Sequence, residues 1–167
     1  PAEVVAFKGD LAQMLLLYDG VGISQGSYVT STGDPIKMPV GDFLLGRLVD
    51  PLGNPLDGRP LDLSQAKYVN VLGKAPDPMD RPIISERFST GVRAIDSLLT
   101  FGAGQRLGLF AGSGVGKSTL LGMIARNSDA DVNVMALIGE RGREVKEFME
   151  NSLGPEGMKH SVLVCAT

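Results

Sequence analysis

The 167-residue chain has no tryptophan, one cysteine, one histidine and a formal net charge of only −3. Each scarcity excludes something. Cys165 has no partner for a disulfide within the chain, and with His160 as the sole imidazole no Cys/His set at metal-ligand spacing can be assembled. His160 stands beside Lys159 and reads as a solvated surface histidine. A reducing cytoplasm is the expected compartment. No apolar run approaches the roughly 18 residues of a membrane helix; a cluster such as Met14 to Leu17 is strand-sized, and no leader-like segment is expected at the start. With 16 basic and 19 acidic residues there is no general basic face for nucleic acid or anionic lipid. What is present, 43 % hydrophobic and 21 % charged residues, is the composition of a folded α/β protein and not of a disordered tail.

Proline and glycine divide the chain. Nine of ten prolines lie before residue 83, among Gly-Asp, Gly-Asn and Pro-Leu-Gly turns that break helices and close hairpins. Residues 1–72 are therefore expected to form a small all-β barrel domain, truncated at its start because Pro1 almost abuts a strand. Its strands are predicted at Val4 to Phe7, Ala12 to Tyr18, Ser27 to Ser31, Ile36 to Pro39 and Leu44 to Val49, with turns at 8–10, 33–35 and 51–54. Leu44 to Asp50, although an apolar run closed by Asp, ends in a Pro-Gly turn and is read as barrel architecture. Residues 73–88, with Pro76, Pro78 and Pro82 among charges, read as an extended linker. The 8 basic and 11 acidic residues of 1–88, against 8 and 8 in 89–167, make the first half the acidic one.

From 89 to 167 the rhythm becomes that of βαβ units: apolar runs Leu107 to Ala111, Val132 to Ile138 and Ser161 to Ala166 alternate with helical spacing. One helix is expected from Gly116 or Lys117 to Arg126. A second is expected from about Arg143 to Leu153, with Val145, Phe148, Met149 and Leu153 on one face and Gly154-Pro155 as its stop. The chain, opening and closing next to strands, reads as a piece whose core is truncated at its end.

Between a predicted strand and a predicted helix lies Ala111-Gly112-Ser113-Gly114-Val115-Gly116-Lys117-Ser118, the context in which a phosphate-binding loop is credited. Gly112, Gly114 and Gly116 let successive backbone N–H groups converge on phosphate oxygens, and the helix adds its positive end. Lys117 is expected to reach the β and γ phosphates of ATP, the Ser118 hydroxyl to ligate Mg2+, and Thr119 to bond the α phosphate. Ala111 stands where the pattern usually has Gly, a small departure at a strand end.

Parallel strands joined by a crossover emerge at one sheet edge, which brings Glu140, just past the Val132 to Ile138 run, near the phosphates. There a carboxylate can orient water for attack on the γ phosphate, with Arg141 and Arg143 in the same turn. Two other readings stand beside it: a solvated, charged helix start over 140–144, or a strand mimicking a Walker B segment. Residue types and spacing leave these open.

The runs Phe110 to Leu121 and Ile138 to Val145, together with Leu44-Leu45-Gly46-Arg47, Pro55 to Gly58, Thr90 to Asp96 and Gly104-Gln105-Arg106, resemble the flagellar and type III secretion export ATPases, relatives of rotary ATP synthase catalytic subunits. The resemblance covers nearly the whole chain. It implies a β-barrel before a RecA-like P-loop ATPase core, Glu140 as the catalytic carboxylate, and Arg141 near the γ phosphate. It also implies a hexameric ring with ATP between subunits, and as partners the export apparatus with its cargo and chaperone proteins. Peripheral association with a membrane is compatible with this, without a transmembrane segment. The export branch is favoured by Ser118 to Leu121 and Gly142, over the alternative of a rotary proton-translocating synthase subunit. A Rho-like nucleic-acid translocase would need a basic, aromatic barrel, which acidic residues 1–88 do not supply. A third class, in which ATP only holds subunits together, is separated by the effect of Glu140→Gln on turnover.

Overall fold

The computed structural model describes residues 1–112 and 114–166, in two compact units, Pro1–Asp34 and Pro35–Thr167. The first contains an antiparallel hairpin of β1 (Ala2–Lys8) and β2 (Leu11–Leu16), joined through Gly9 at φ 60°. The turn falls where Lys8-Gly9-Asp10 predicted it. The register shifts between Val4 and Ala6, leaving Val5 as the extra residue of a bulge. Ser27 to Ser31, expected as a strand, is irregular. Gly22, Gly26 and Gly33 flank it with positive φ, and Tyr28 within it is fully exposed, so alternation without a neighbouring strand produced no ladder.

The second unit holds a two-stranded antiparallel sheet, β3 (Lys37–Val40) with β5 (Lys67–Asn70), and a three-stranded parallel sheet. The parallel sheet has the order β4 (Arg47–Val49), β7 (Ser161–Ala166), β6 (Asn133–Ile138). Leu44 to Val49 is thus not barrel architecture. A short 3-10 turn, Asp42–Leu44, leads into it, and its end pairs with the central strand at Arg47↔Val162 and Val49↔Val164. The early strands form two two-stranded sheets, β1–β2 in the first unit and β3–β5 in the second. The turn after β4 is built by Asp50, whose Oδ1 accepts from the N–H groups of Leu52 and Asn54 at 2.8 Å each.

The parallel pairing of β6 with β7 requires a crossover. It consists of α3 (Gly142–Glu147), a π-helical turn over Phe148–Leu153, and α4 (Gly154–Lys159). The predicted helix over 143–153 and its stop are found, but the stop is also a restart. Gly154 turns at φ 65°, and Pro155 sits in the first turn of α4, where a missing N–H leaves no helical bond unmade. Earlier in the chain come α1 (Arg93–Leu98) and α2 (Lys117–Asn127).

β7 is the spine of the core, because its alternation serves both faces. Leu163 packs with Phe148 and Leu153, joined by Ala125, Met135, Leu137 and Met158, under the helices. Val162 packs with Leu44 and Val49, joined by Phe43 and Leu61, on the other face. Leu153 and Leu163 are wholly buried, each stabilising by roughly 1.5–3 kcal/mol relative to exposure.

Leu107 to Ala111 is the main departure. It is not a strand: no ladder partner lies beside it among the described residues, and Phe110 is 95 % exposed with its ring folded over Gly108. Apolar pattern predicts that a segment wants a neighbour; it does not supply one. The nearby Thr90 to Asp96 motif has a clear structural task. Asp96 accepts from the Thr90 N–H at 3.0 Å and hydroxyl at 2.8 Å, closing the start of α1. Gly91, at φ 70°, lies so close to the Asn127 backbone that no side chain fits, which anchors the far end of α2.

Candidate functional site

The phosphate-loop residues lead into α2 through two left-handed glycines, Gly114 at φ 76° and Gly116 at φ 97°. An L side chain is strained at both, so the sequence folds here only because glycine is present. Gly116 caps α2, and its carbonyl accepts the first helical bond, from Leu120 N–H at 2.9 Å. The N–H groups that open a helix have no partner within it and present a positive end. An added Cβ at Gly112, Gly114 or Gly116 would meet nothing within 4 Å, so the loop borders open space that a ligand can occupy. Ser113, assigned to the same loop, lies outside the described residues.

Facing the start of α2 is a cleft of about 240 Å³. Ser118, Thr119, Glu140 and Glu144 line it, with Leu137 and Phe148 among its apolar lining. Whole-ligand pockets run to roughly 300–1,000 Å³, so this cleft suits the phosphate end of a nucleotide. A depression of about 480 Å³ bordered by Val40, Asp42, Phe43, Asp62 and Lys67 is larger, but it contains neither a glycine loop nor a helix of more than one turn.

Glu140 is brought to the cleft by β6. The strand ends at Ile138, Gly139 turns at φ 70°, and its N–H donates to the Ala166 carbonyl at 2.7 Å, which fixes the exit from the sheet. The Glu140 carboxyl is pushed above the ordinary range, chiefly by hydrogen bonding with Glu144, then by desolvation and by the Glu144 charge; Lys117 and Arg141 pull the other way. Glu144 moves down, held ionised first by Arg141, whose Nη1 donates to Oε1 at 2.7 Å. Both directions follow from one contact: Glu144, held by Arg141, opposes the ionisation of Glu140.

The site residues expected from sequence are thus gathered unequally. Ser118, Thr119 and Glu140 line one cleft, and Lys117 acts on Glu140 through its charge. Gly112, Gly114, Val115 and Gly116 are exposed in the loop. Arg141 is turned to Glu144 and is 81 % exposed, and Arg143 is exposed. Sequence reasoning assigned no role to Glu144 or Ser152, both in the cleft wall. The four-residue step from Glu140 to Glu144 was the signal available for the first; none was available for the second.

Residues 91–167 match the model of the ATP synthase alpha/beta family, nucleotide-binding domain. Over 99 % of its length the chain is 51 % identical to the flagellum-specific ATP synthase of Bacillus subtilis and 51 % identical to the type 3 secretion system ATPase of Xanthomonas euvesicatoria. Among solved structures it is similar to the assembled ATPase EscN in complex with its central stalk EscO, from the type III secretion system of enteropathogenic E. coli. That match has a TM-score of 0.87 and 46 % identity, covering 99 % of this chain and 41 % of that one. The chain is thus similar to the nucleotide-binding domain of the ATP synthase alpha/beta family over residues 91–167, and to flagellum-specific and type III secretion ATPases over 99 % of its length. It spans 38 % and 37 % of the length of the Bacillus and Xanthomonas relatives.

Proposed function

We infer that this chain carries the phosphate-binding half of an ATPase site, within a RecA-like core, and that the intact protein hydrolyses ATP to energise protein export through a flagellar or type III secretion apparatus. The observation that carries the reading is that Ser118, Thr119 and Glu140 line one cleft. The amides from Gly112 to Thr119 would receive the polyphosphate, with Lys117 as its counter-charge. Mg2+ would be held by the Ser118 hydroxyl, a hard oxygen donor of the kind it takes, and when bound would neutralise phosphate charge. Glu140 would orient the attacking water, and Arg141, released from Glu144, would face the γ phosphate.

The similarity to an assembled relative supports a homo-oligomer, proposed here as a hexameric ring. The export apparatus, cargo and chaperones are its proposed partners, in the cytoplasm. No described helix is long and apolar enough to cross a membrane.

The test is made on the intact protein. Lys117→Ala is expected to abolish nucleotide binding, and Glu140→Gln to keep binding while turnover falls by roughly 10² or more. Undiminished turnover in Glu140→Gln would remove that residue from the mechanism, and unchanged affinity in Lys117→Ala would remove the loop.

A further inference from the structure

We propose that Gly122 is a positioning residue for the cleft: by letting the backbone of α2 touch the π-helical turn at Ser152, it sets how far Ser118 and Thr119 stand from Glu140 and Glu144. This rests on the phosphate-site reading given above.

Glycine inside a helix is unfavourable relative to alanine, so its presence in the sixth position of α2 needs a cause. Backbone conformation is not the cause, because Gly122 is absent from the positive-φ glycines. Contact is. A Cβ on Gly122 would lie 2.6 Å from the Ser152 carbonyl oxygen, 2.8 Å from Ser152 Cβ and 2.9 Å from Ser152 C. Two of those atoms are backbone and cannot swing aside.

Both sides of this contact lead directly to the cleft. Ser118 and Thr119 precede Gly122 by four and three residues, and so share its helix face. Ser152 and Phe148 line the cleft themselves. The π-helical turn continues α3 without a break, since Phe148 at the junction keeps right-handed helical dihedrals. A displacement at Ser152 is therefore carried to Glu144, one turn from Glu140. A π-helical turn, one residue wider than an α turn, is itself a feature that tends to accompany functional sites.

Gly157 supplies the contrast. It is buried against the same helix, but a Cβ there would meet Arg126 Cγ at 3.0 Å and Leu153 side-chain atoms at 3.4–3.5 Å, groups that can yield.

The experiment uses the intact protein carrying Gly122→Ala, Gly157→Ala, or Gly122→Ala with Ser152→Gly. The binding of N-methylanthraniloyl-ATP and the kcat per binding site are measured for each. In Gly122→Ala, α2 keeps its loop but stands farther from Glu140. Affinity should then stay within about twofold while kcat falls roughly ten- to a hundredfold, the scale of an ångström-level misplacement. Gly157→Ala should retain both, and the double variant, relieved of the 2.8 Å contact, should regain part of the kcat. Unchanged kcat in folded Gly122→Ala, or loss of affinity in step with kcat, overturns the proposal. If Gly122→Ala does not fold, the double variant decides: the same split supports the proposal, and no split or no folded protein overturns it. Wild-type protein that fails to bind the probe, or binds it independently of Lys117, instead sinks the phosphate-site reading itself.

Discussion

Arg47 grips Asp57 with two parallel bonds, Nε to Oδ2 at 2.7 Å and Nη2 to Oδ1 at 2.8 Å, with both side chains nearly buried at 11 % and 9 % exposure. Arg47 sits on β4 beside Val162 of the central strand, and also donates to the Pro60 carbonyl at 3.1 Å. Arg59 adds a third contact to the same carboxylate at 2.8 Å. The pair thus staples the 57–60 loop to the core sheet, and the Leu-Gly-Arg and Pro-Leu-Asp-Gly segments prove to be two halves of one structural device.

Removing one partner of such a pair leaves a buried charge uncompensated. Asp57→Asn should therefore destabilise the intact protein by about 3 kcal/mol or more, read from the shift of its urea unfolding midpoint. The exposed pair of Lys159 with Glu156, at 63 % and 81 % exposure, is the control: Glu156→Gln should leave the midpoint unmoved.

The same staple dictates an acid limb. Arg47, first by hydrogen bonding, holds the Asp57 carboxyl well below the usual carboxylate range despite its burial. A carboxyl depressed in the folded state contributes stability that is fully present above its unfolded pKa of about 3.9 and is lost as pH falls from there toward the folded value. Stability measured against pH should thus decline below about pH 4 more steeply in the wild type than in Asp57→Asn. Parallel curves would show that the staple does not titrate.

Gly91 offers a backbone test. Its φ of 70° alone costs a side chain roughly 1–2 kcal/mol, and the adjoining Asn127 backbone leaves no room for one. Gly91→Ala should exceed that strain figure in unfolding measurements and should loosen the C-terminal end of α2, seen as faster amide exchange at Asn127 and Ser128.

Local chemistry was legible in the sequence, and neighbour relations were not. The β1–β2 turn, the Asp50 turn, the start of α2 and the end of the helix at Leu153 all follow from residues that fix backbone dihedrals or satisfy nearby groups. Leu44 to Val49 was misjudged because its partner, β7, lies more than a hundred residues on. Leu107 to Phe110 has the pattern of a strand but no partner beside it, so pattern and structure part there. The candidate site was half legible: the glycine loop announces itself by spacing, whereas Glu144, Ser152 and Gly122 matter through packing across the crossover, which sequence distance hides.

Glu144 gives the last prediction. It hydrogen-bonds with Glu140 in a cleft that Glu147 also lines, with Lys117 and Arg141 as the nearby cations acting on Glu140. Hydrogen bonding and like charge from Glu144 raise the Glu140 carboxyl, so wild-type Glu140 is ionised only at higher pH than an ordinary glutamate. In Glu144→Gln the negative neighbour is gone and both cations remain, and Arg141, freed from its 2.7 Å bond, turns to Glu140. If Glu140 must be ionised to orient water, the acid limb of kcat/KM, which reports the free enzyme, moves to lower pH in this variant. An acid limb that stays in place, or moves to higher pH, would mean that Glu144 does not govern the charge of Glu140.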